Sequence, residues 1–173
     1  MTTIYFRQAQ PQDIPAMMHI IDEAKVLLAK DNSPQWQNGY PNEQVLAQDI
    51  KQGFGYVLIV DKQIVATAAL QQTPDENYQH IEEGSWLKEE QPFTTIHRIA
   101  LSSNYRGMSL ATFFLSHLIS ESYRLGFRQV RADTHRINQR MKHLLEKNGF
   151  QYRGIIYVKD YVDNARDAYQ LCL

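Results

Sequence analysis

Thr95-Ile-His-Arg-Ile-Ala-Leu-Ser-Ser-Asn-Tyr-Arg-Gly-Met-Ser-Leu-Ala111 is the stretch whose reading decides the fold. The alternation over Thr94–Leu101 predicts a strand, Asn104–Met108 a turn, and the apolar spacing after Ser109 a helix running to about Leu125. A strand that runs through a Gly-containing turn into a long helix aims several unpaired backbone N–H groups, and the positive helix end, at one spot. Such a spot binds phosphates, each charge-assisted hydrogen bond being worth about 1.5–3 kcal/mol. Neither G-x-x-x-x-G-K-[ST] nor G-x-G-x-x-G occurs here, which argues against a P-loop and against a Rossmann dinucleotide site.

Outward from that stretch the elements alternate. Thr3–Ala9 reads as a strand with Ile4 and Phe6 inward, and Pro11 and Asp13 open a helix to about Ala29. Asp31–Pro41 is a punctuated loop, Asn42 caps a short helix over Glu43–Lys51, and Gly55–Val60 and Gln63–Gln72 flank Asp61-Lys62 as a hairpin. Thr73–Pro92 is a long acidic loop, of a length that in compact domains is usually functional or mobile. Beyond the central helix, Gln129–Thr134 is a strand, Asn138–Lys147 a helix stopped by Asn148-Gly149, and Tyr152–Val158 and Asp167–Leu173 are two antiparallel closing strands. With no repeat or linker, residues 1–173 read as one mixed α/β domain.

Charge divides along the chain although its formal sum is −1. Residues 1–97 carry six Lys/Arg against thirteen Asp/Glu, and residues 98–153 carry ten against three. The basic block suits a polyanionic ligand and the acidic half a cationic one. A single cysteine, Cys172, cannot form an internal disulfide, so a reducing, cytoplasmic setting is expected, with Cys172 a buried apolar residue. The N-terminus lacks the features of a signal peptide, and no apolar run approaches the roughly 18 residues of a membrane span. The six histidines have no zinc-helix spacing, so no metal is expected, and the basic residues are not interleaved with a nucleic-acid recognition motif.

Arg106-Gly107-Met108-Ser109-Leu110-Ala111 resembles the [Q/R]-x-x-G-x-[G/A] signature of the GCN5-related N-acetyltransferase (GNAT) family, with Ser109 where that family usually has Gly. Asn138…Leu144-Leu145-Glu146-Lys147-Asn148-Gly149-Phe150 is similar to the family's N-x-x-[AM]-x-x-L-[YL]-E-K-x-G-F run, and Pro34–Pro41 and Ile96–Ile99 look like a bacterial branch acting on small molecules. The resemblance implies a GNAT fold: a mixed, largely antiparallel sheet of six to seven strands flanked by about four helices and splayed at two central parallel strands. It implies acetyl-CoA as co-substrate, with Ile99, Ala100 and Leu101 pairing with the pantetheine arm. The pyrophosphate would sit on the turn Arg106, Gly107, Met108, Ser109, Leu110 and Ala111, with Asn138 also at the cofactor. The function it implies is acetyl transfer to a primary amine of a small molecule by direct attack. A CoA-binding sensor without transfer, or a protein N-terminal acetyltransferase, are the alternatives, and a homodimer is compatible with either.

An alkyl amine of pKa about 10.4 is neutral in roughly one molecule per few thousand at pH 7, which costs about 4–5 kcal/mol. The site must therefore take a proton. Thr95 stands near the position of the family's usual Glu, leaving His97 as the side chain of the strand suited to proton exchange near neutrality, unless it is a hydrogen-bonded structural histidine. Glu82 and Glu83 of the acidic loop are further candidates at the acceptor. The family's acid, a Tyr of the last helix, is matched here by Leu145, with Tyr157 or Tyr169 as substitutes. Trp36 and Tyr40 are expected to line the acceptor pocket.

Overall fold

The computed structural model describes residues 2–159 and 161–173. In chain order its elements are β1 (Ile4–Gln8), α1 (Ile14–Lys30), α2 (Glu43–Lys51), β2 (Gly55–Val60), β3 (Gln63–Gln71), β4 (Thr94–Leu101), α3 (Leu110–Arg124), β5 (Gln129–Thr134), α4 (Gln139–Lys147), β6 (Gln151–Tyr157) and β7 (Ala165–Cys172). Local chemistry explains their ends. Asn42 and Asn138 cap α2 and α4, their side-chain oxygens accepting from the N–H groups of Val45 and Met141 at 3.0 and 3.2 Å. Asp61 and Lys62 both take positive φ, 46° and 72°, the conformation a two-residue hairpin needs.

The seven strands form one sheet in the order β1-β2-β3-β4-β5-β7-β6. Every neighbouring pair is antiparallel except β4 and β5, which run parallel and pair only at Thr94–Val130, Thr95–Arg131 and Ile96–Ala132. Beyond Ile96 the two strands part. On the other side of β4, Ala69 lies opposite His97 and Thr67 opposite Ala100, so Ala68 alone faces both Arg98 and Ile99. That extra residue is a β-bulge, and Arg98 adopts it at φ 54°. The sheet is thus mixed, largely antiparallel and splayed at its one parallel pair.

Helices α3 and α4 cover one face, where Leu110, Phe114, Leu115, Leu118 and Leu145 pack against Leu58, Ile96, Val130, Ala132 and Tyr169. Helices α1 and α2 cover the other, where Met17 and Leu46 meet Val57 and Ile59, and Ile20 and Ile21 meet Ala100. The segment between β3 and β4 is not a solvated acidic loop. Its Tyr78 and Trp86 are buried with Phe93, Ile156 and Ala168, so its aromatic residues, and not its carboxylates, decide where it lies. Beneath it Arg131 is almost fully buried, its guanidinium 4.2 Å from the Trp86 ring centroid and 3.8 Å from that of Phe93. Burial lowers its pKa to about 10.

Several expectations need correction. Ile4 is exposed, because it sits at the end of the edge strand beyond helix cover. The first helical turn is a separate 3-10 turn at Pro11–Asp13, and β7 begins two residues earlier than expected. α3 begins at Leu110, with Ser109 outside it at φ 59°, and Phe113 and Tyr123 of that helix are exposed. Cys172 is half-buried rather than buried.

Arg7 binds Asp13 through two N–H···O bonds of 2.7 and 3.0 Å, and the Gln10 N–H adds a third at 2.7 Å, tying β1 to the start of α1. The Arg7 bonds foremost, with the Gln10 amide, hold the Asp13 carboxyl below its ordinary value against the opposing effect of burial. A depressed carboxyl stabilises the fold above its unfolded pKa, about 3.9, and that stability is lost as pH falls through the folded value. Melting temperature followed from pH 6 to pH 2 should therefore fall less steeply below pH 4 in Asp13→Asn than in the wild type; identical profiles would show that the contact contributes nothing.

Candidate functional site

The parting of β4 from β5 opens a cleft of about 1090 Å³ that runs through the sheet. One side is built by α4, which turns Asn138, Arg140, His143 and Lys147 toward it, and by the turn before α3, which contributes Arg106 and Gly107. Gly107 and Ser109 both have positive φ, 79° and 59°, and the first backbone bond of the helix runs from the Phe113 N–H to the Ser109 carbonyl at 3.1 Å. The amides of residues 106–112 therefore find no carbonyl acceptor among the described residues, and the concave turn collects them as an anion-binding nest.

The floor is the edge of β4 that β5 has released. Ile99, Ala100 and Leu101 line the cleft there, and an unpaired strand edge offers alternating N–H and C=O groups to an extended amide chain. Thr134, at the end of β5, lines the same passage, and its Oγ1 is buried without a hydrogen-bond partner among the described residues. An orphaned hydroxyl at that point suits a ligand with its own amide groups.

On the opposite side the cleft is bounded by the 31–41 loop and by residues of the β3–β4 and β6–β7 connections. Trp36 and Tyr40 line it, as do His97, Asp133 and Arg166. The two loops meet over this end. Tyr40 of the 31–41 loop lies edge-on to Tyr161 of the β6–β7 connection with centroids 6.4 Å apart; the 31–41 loop also meets the α4 side, where the Asn138 amide donates to Gln35 Oε1 at 3.3 Å and Arg140 pairs with Asp31 at 2.9 Å.

His97 is held by Asp75, whose Oδ2 lies 2.8 Å from Nε2, while Asp75 Oδ1 accepts from the Asn77 N–H at 3.0 Å. Burial would raise the Asp75 carboxyl, but the His97 contact and the Asn77 amide outweigh it and hold it below the ordinary carboxylate value. A carboxylate can only accept, so Nε2 is the donor of this contact, and in the neutral imidazole that leaves the lone pair on Nδ1. Asp75 is a partner that the alternation of β4 could not reveal, because it lies 22 residues away in the acidic segment.

Arg98 turns away from the sheet toward α2, donating from Nε and Nη2 to both oxygens of Asp49 at 2.9 and 2.6 Å and from Nη1 to the Tyr40 hydroxyl at 2.7 Å. Of the remaining expected site residues, Ala111 and Asn138 line the cleft, Met108 is exposed outside it and Leu110 is buried in the core. Glu82, Glu83 and Tyr157 do not line it: the Tyr157 hydroxyl donates to Glu82 at 2.9 Å at the outer strand β6, where Glu82 bridges to Ile155. Among the described residues no three His, Cys, Asp or Glu side chains group to hold a metal ion, and no helix is long and apolar enough to cross a membrane.

Residues 21–150 match the model of the acetyltransferase (GNAT) family. The chain belongs to the GNAT acetyltransferase family. A GNAT-family acetyltransferase from Streptococcus agalactiae 2603 is 37% identical over 98% of this chain and 95% of its own, with a TM-score of 0.90. Two more distant structures share the fold. A putative acetyltransferase from Salmonella typhimurium, solved with acetyl-CoA, is 17% identical (TM-score 0.68; 98% and 94% covered), and a ribosomal-protein-alanine N-acetyltransferase from Brucella melitensis is 21% identical (TM-score 0.69; 98% and 99% covered). No curated protein sequence matches the chain.

The bulge of this GNAT sheet rests on one buried ion pair, since Asp49 is buried and the Arg98 side chain is only 11% exposed. Removing one partner of such a pair strands the other, at about 3–5 kcal/mol. Denaturant unfolding of Asp49→Asn should show a loss of that size; a loss under about 1 kcal/mol would mean that the bulge is held elsewhere.

Proposed function

We propose that this chain transfers the acetyl group of acetyl-CoA to the primary amine of a small molecule in the cytoplasm, by direct attack and without an acyl-enzyme. The observation that carries the reading is the shape of the cleft, which joins an anion-binding turn to a buffered imidazole through a gap in the sheet. CoA fits the first half by chemistry: amides and Arg106 for the pyrophosphate, the released edge at Ile99–Leu101 and the Thr134 hydroxyl for the pantetheine amides, and Arg140 and Lys147 as nearby cations. The acetyl thioester supplies the electrophile.

The residues of the chain then have two tasks. Ile99–Leu101 and the turn fix the position of the thioester, which converts a bimolecular encounter into an oriented one. His97 accepts the proton of the acceptor ammonium at Nδ1, directly or through a water, and Asp75 stabilises the imidazolium that results. The contact of Tyr40 in the 31–41 loop with Tyr161 in the β6–β7 connection narrows the acceptor end and favours a small molecule over the tail of a protein.

Two experiments test the two halves. Gly107→Pro demands φ near −65° where the turn has 79°, so calorimetry should show CoA binding weakened by at least tenfold. The milder Gly107→Ala, whose added Cβ meets no atom within 4 Å, should weaken it less. Unchanged affinity in a folded proline variant removes the turn from the site. His97→Ala should lose on the order of 10²-fold in kcat/KM in a free-thiol assay while keeping CoA affinity. Retention of the wild-type rate moves the proton elsewhere; CoA binding without thiol release for any amine turns the reading to a sensor.

A further inference from the structure

Arg166 is the one described guanidinium that is nearly fully buried, lines the cleft and has no ion-pairing carboxylate. It is 3% exposed. Its Nη1 donates to the backbone carbonyls of Asp163 and Ala165 at 2.8 and 2.9 Å, and its Cζ lies 5.3 Å from the Tyr161 ring centroid. Those bonds occupy one corner of the fork. The other edge, Nε and Nη2, donates to no described residue, although it is the edge that matches a carboxylate in a bidentate pair. Burial depresses the guanidinium pKa, and the more distant charges of Asp133 and Asp163 offset this only in part. A cation kept in this state is costly unless an anion arrives to meet it.

The register places Arg166 relative to the chemistry. Asp133 pairs with Ala168, and Arg166 lies two residues from Ala168 along β7, so Asp133 and Arg166 project from the same face. His97 shares that face, since Thr95 pairs with Arg131 and each residue lies two positions farther on. Across one face, therefore, stand His97 on β4, Asp133 on β5 and Arg166 on β7. The Tyr78 hydroxyl donates to Asp133 Oδ1, and Oδ2 keeps its capacity to receive an ammonium.

We propose that the acceptor carries a carboxylate as well as an amine, the carboxylate being received by the Nε/Nη2 edge of Arg166 while the ammonium sits between Asp133 and His97. This rests on the acetyl-transfer reading and narrows its substrate class. Two strand spacings, at least roughly 10 Å because β4 and β5 have parted by His97, separate β4 from β7, so carboxylate and reacting amine are several bonds apart, as in an ω-amino acid. Neither an uncharged amine nor a polyamine supplies the anion.

The test compares ω-amino acids from glycine to 6-aminohexanoate with alkylamines of the same length in the acetyl-CoA-dependent free-thiol assay. The wild type should favour the longer acids over their matched amines by on the order of 10²-fold in kcat/KM. Arg166→Gln should abolish that difference, mainly through KM, and Arg166→Lys should restore part of it. A wild type that acetylates the alkylamines as well as the acids overturns the inference and leaves acetyl transfer standing. So does a folded Arg166→Gln that keeps the preference. Where Arg166→Gln does not fold, the wild-type comparison and Arg166→Lys decide. Absence of thiol release with either series removes the acetyl-transfer reading and the inference together.

Discussion

The bend in β4 at Arg98 is the constraint on which the rest of this molecule depends. A non-glycine residue in the left-handed region costs on the order of 1–2 kcal/mol, and a bulge there leaves the strand unable to follow its parallel neighbour. The bidentate pair with Asp49 draws the Arg98 side chain toward α2, and its bond to the Tyr40 hydroxyl carries the same tension into the 31–41 loop. One side chain thus ties the strand that splays, the helix beneath it and the loop that borders the acceptor end. The gap in the sheet opens beside this bend, and the released edge of β4, the cleft and the place of His97 follow from the gap.

Three arginines near the sheet are largely buried, and each solves the cost of burial differently. Arg98 has a carboxylate. Arg131 has two aromatic faces and the Gln129 side chain, whose Oε1 accepts from Nε and Nη2 at 3.3 and 3.2 Å. Arg166 has two carbonyls and an open edge. The first two act as structural pins, one for the bulge and one for the segment between β3 and β4, and Arg131, whose Nη1 meets no acceptor among the described residues, does not line the cleft. The third combines an open edge with a place in the lining of the cleft, and the two together separate a site from a pin.

The order and type of the elements were legible because periodicity and caps are local. Asn42, Asn138, Asp61-Lys62 and the Arg106–Ala111 turn each act within a few residues of themselves. The acidic segment was misjudged for the opposite reason. Its charges are conspicuous in sequence, but Tyr78 and Trp86 decide its position through contacts with Ile156 and Ala168, far along the chain. Glu82 and Glu83 were candidates by charge, yet the packing of those aromatics carries them to the outer edge beside β6, while Asp75 of the same segment reaches His97. Nor could Arg166 be singled out among the basic residues, since the parity that aligns it with Asp133 and His97 depends on β7 inserting between β5 and β6.

The distribution of tyrosines bears on where the energetic burden of transfer falls. Leu145 is fully buried in the core under α4, and the neighbouring Tyr169 donates to Glu146 at 3.2 Å, with burial foremost raising its pKa and making it a weaker acid. Tyr157 is spent on Glu82, and the tyrosines that line the cleft, Tyr40 and Tyr161, belong to its acceptor end. The α4 side therefore presents no phenol to the departing sulfur among the described residues. A thiolate, whose acid has a pKa about two units below that of an alkylammonium, departs well without one. The amine is the harder problem, since roughly one molecule in a few thousand arrives neutral. An arrangement that places an imidazole, two carboxylates and a bulge-anchored loop at the amine end, and leaves the thiol end to water, spends its polar groups where the larger barrier lies.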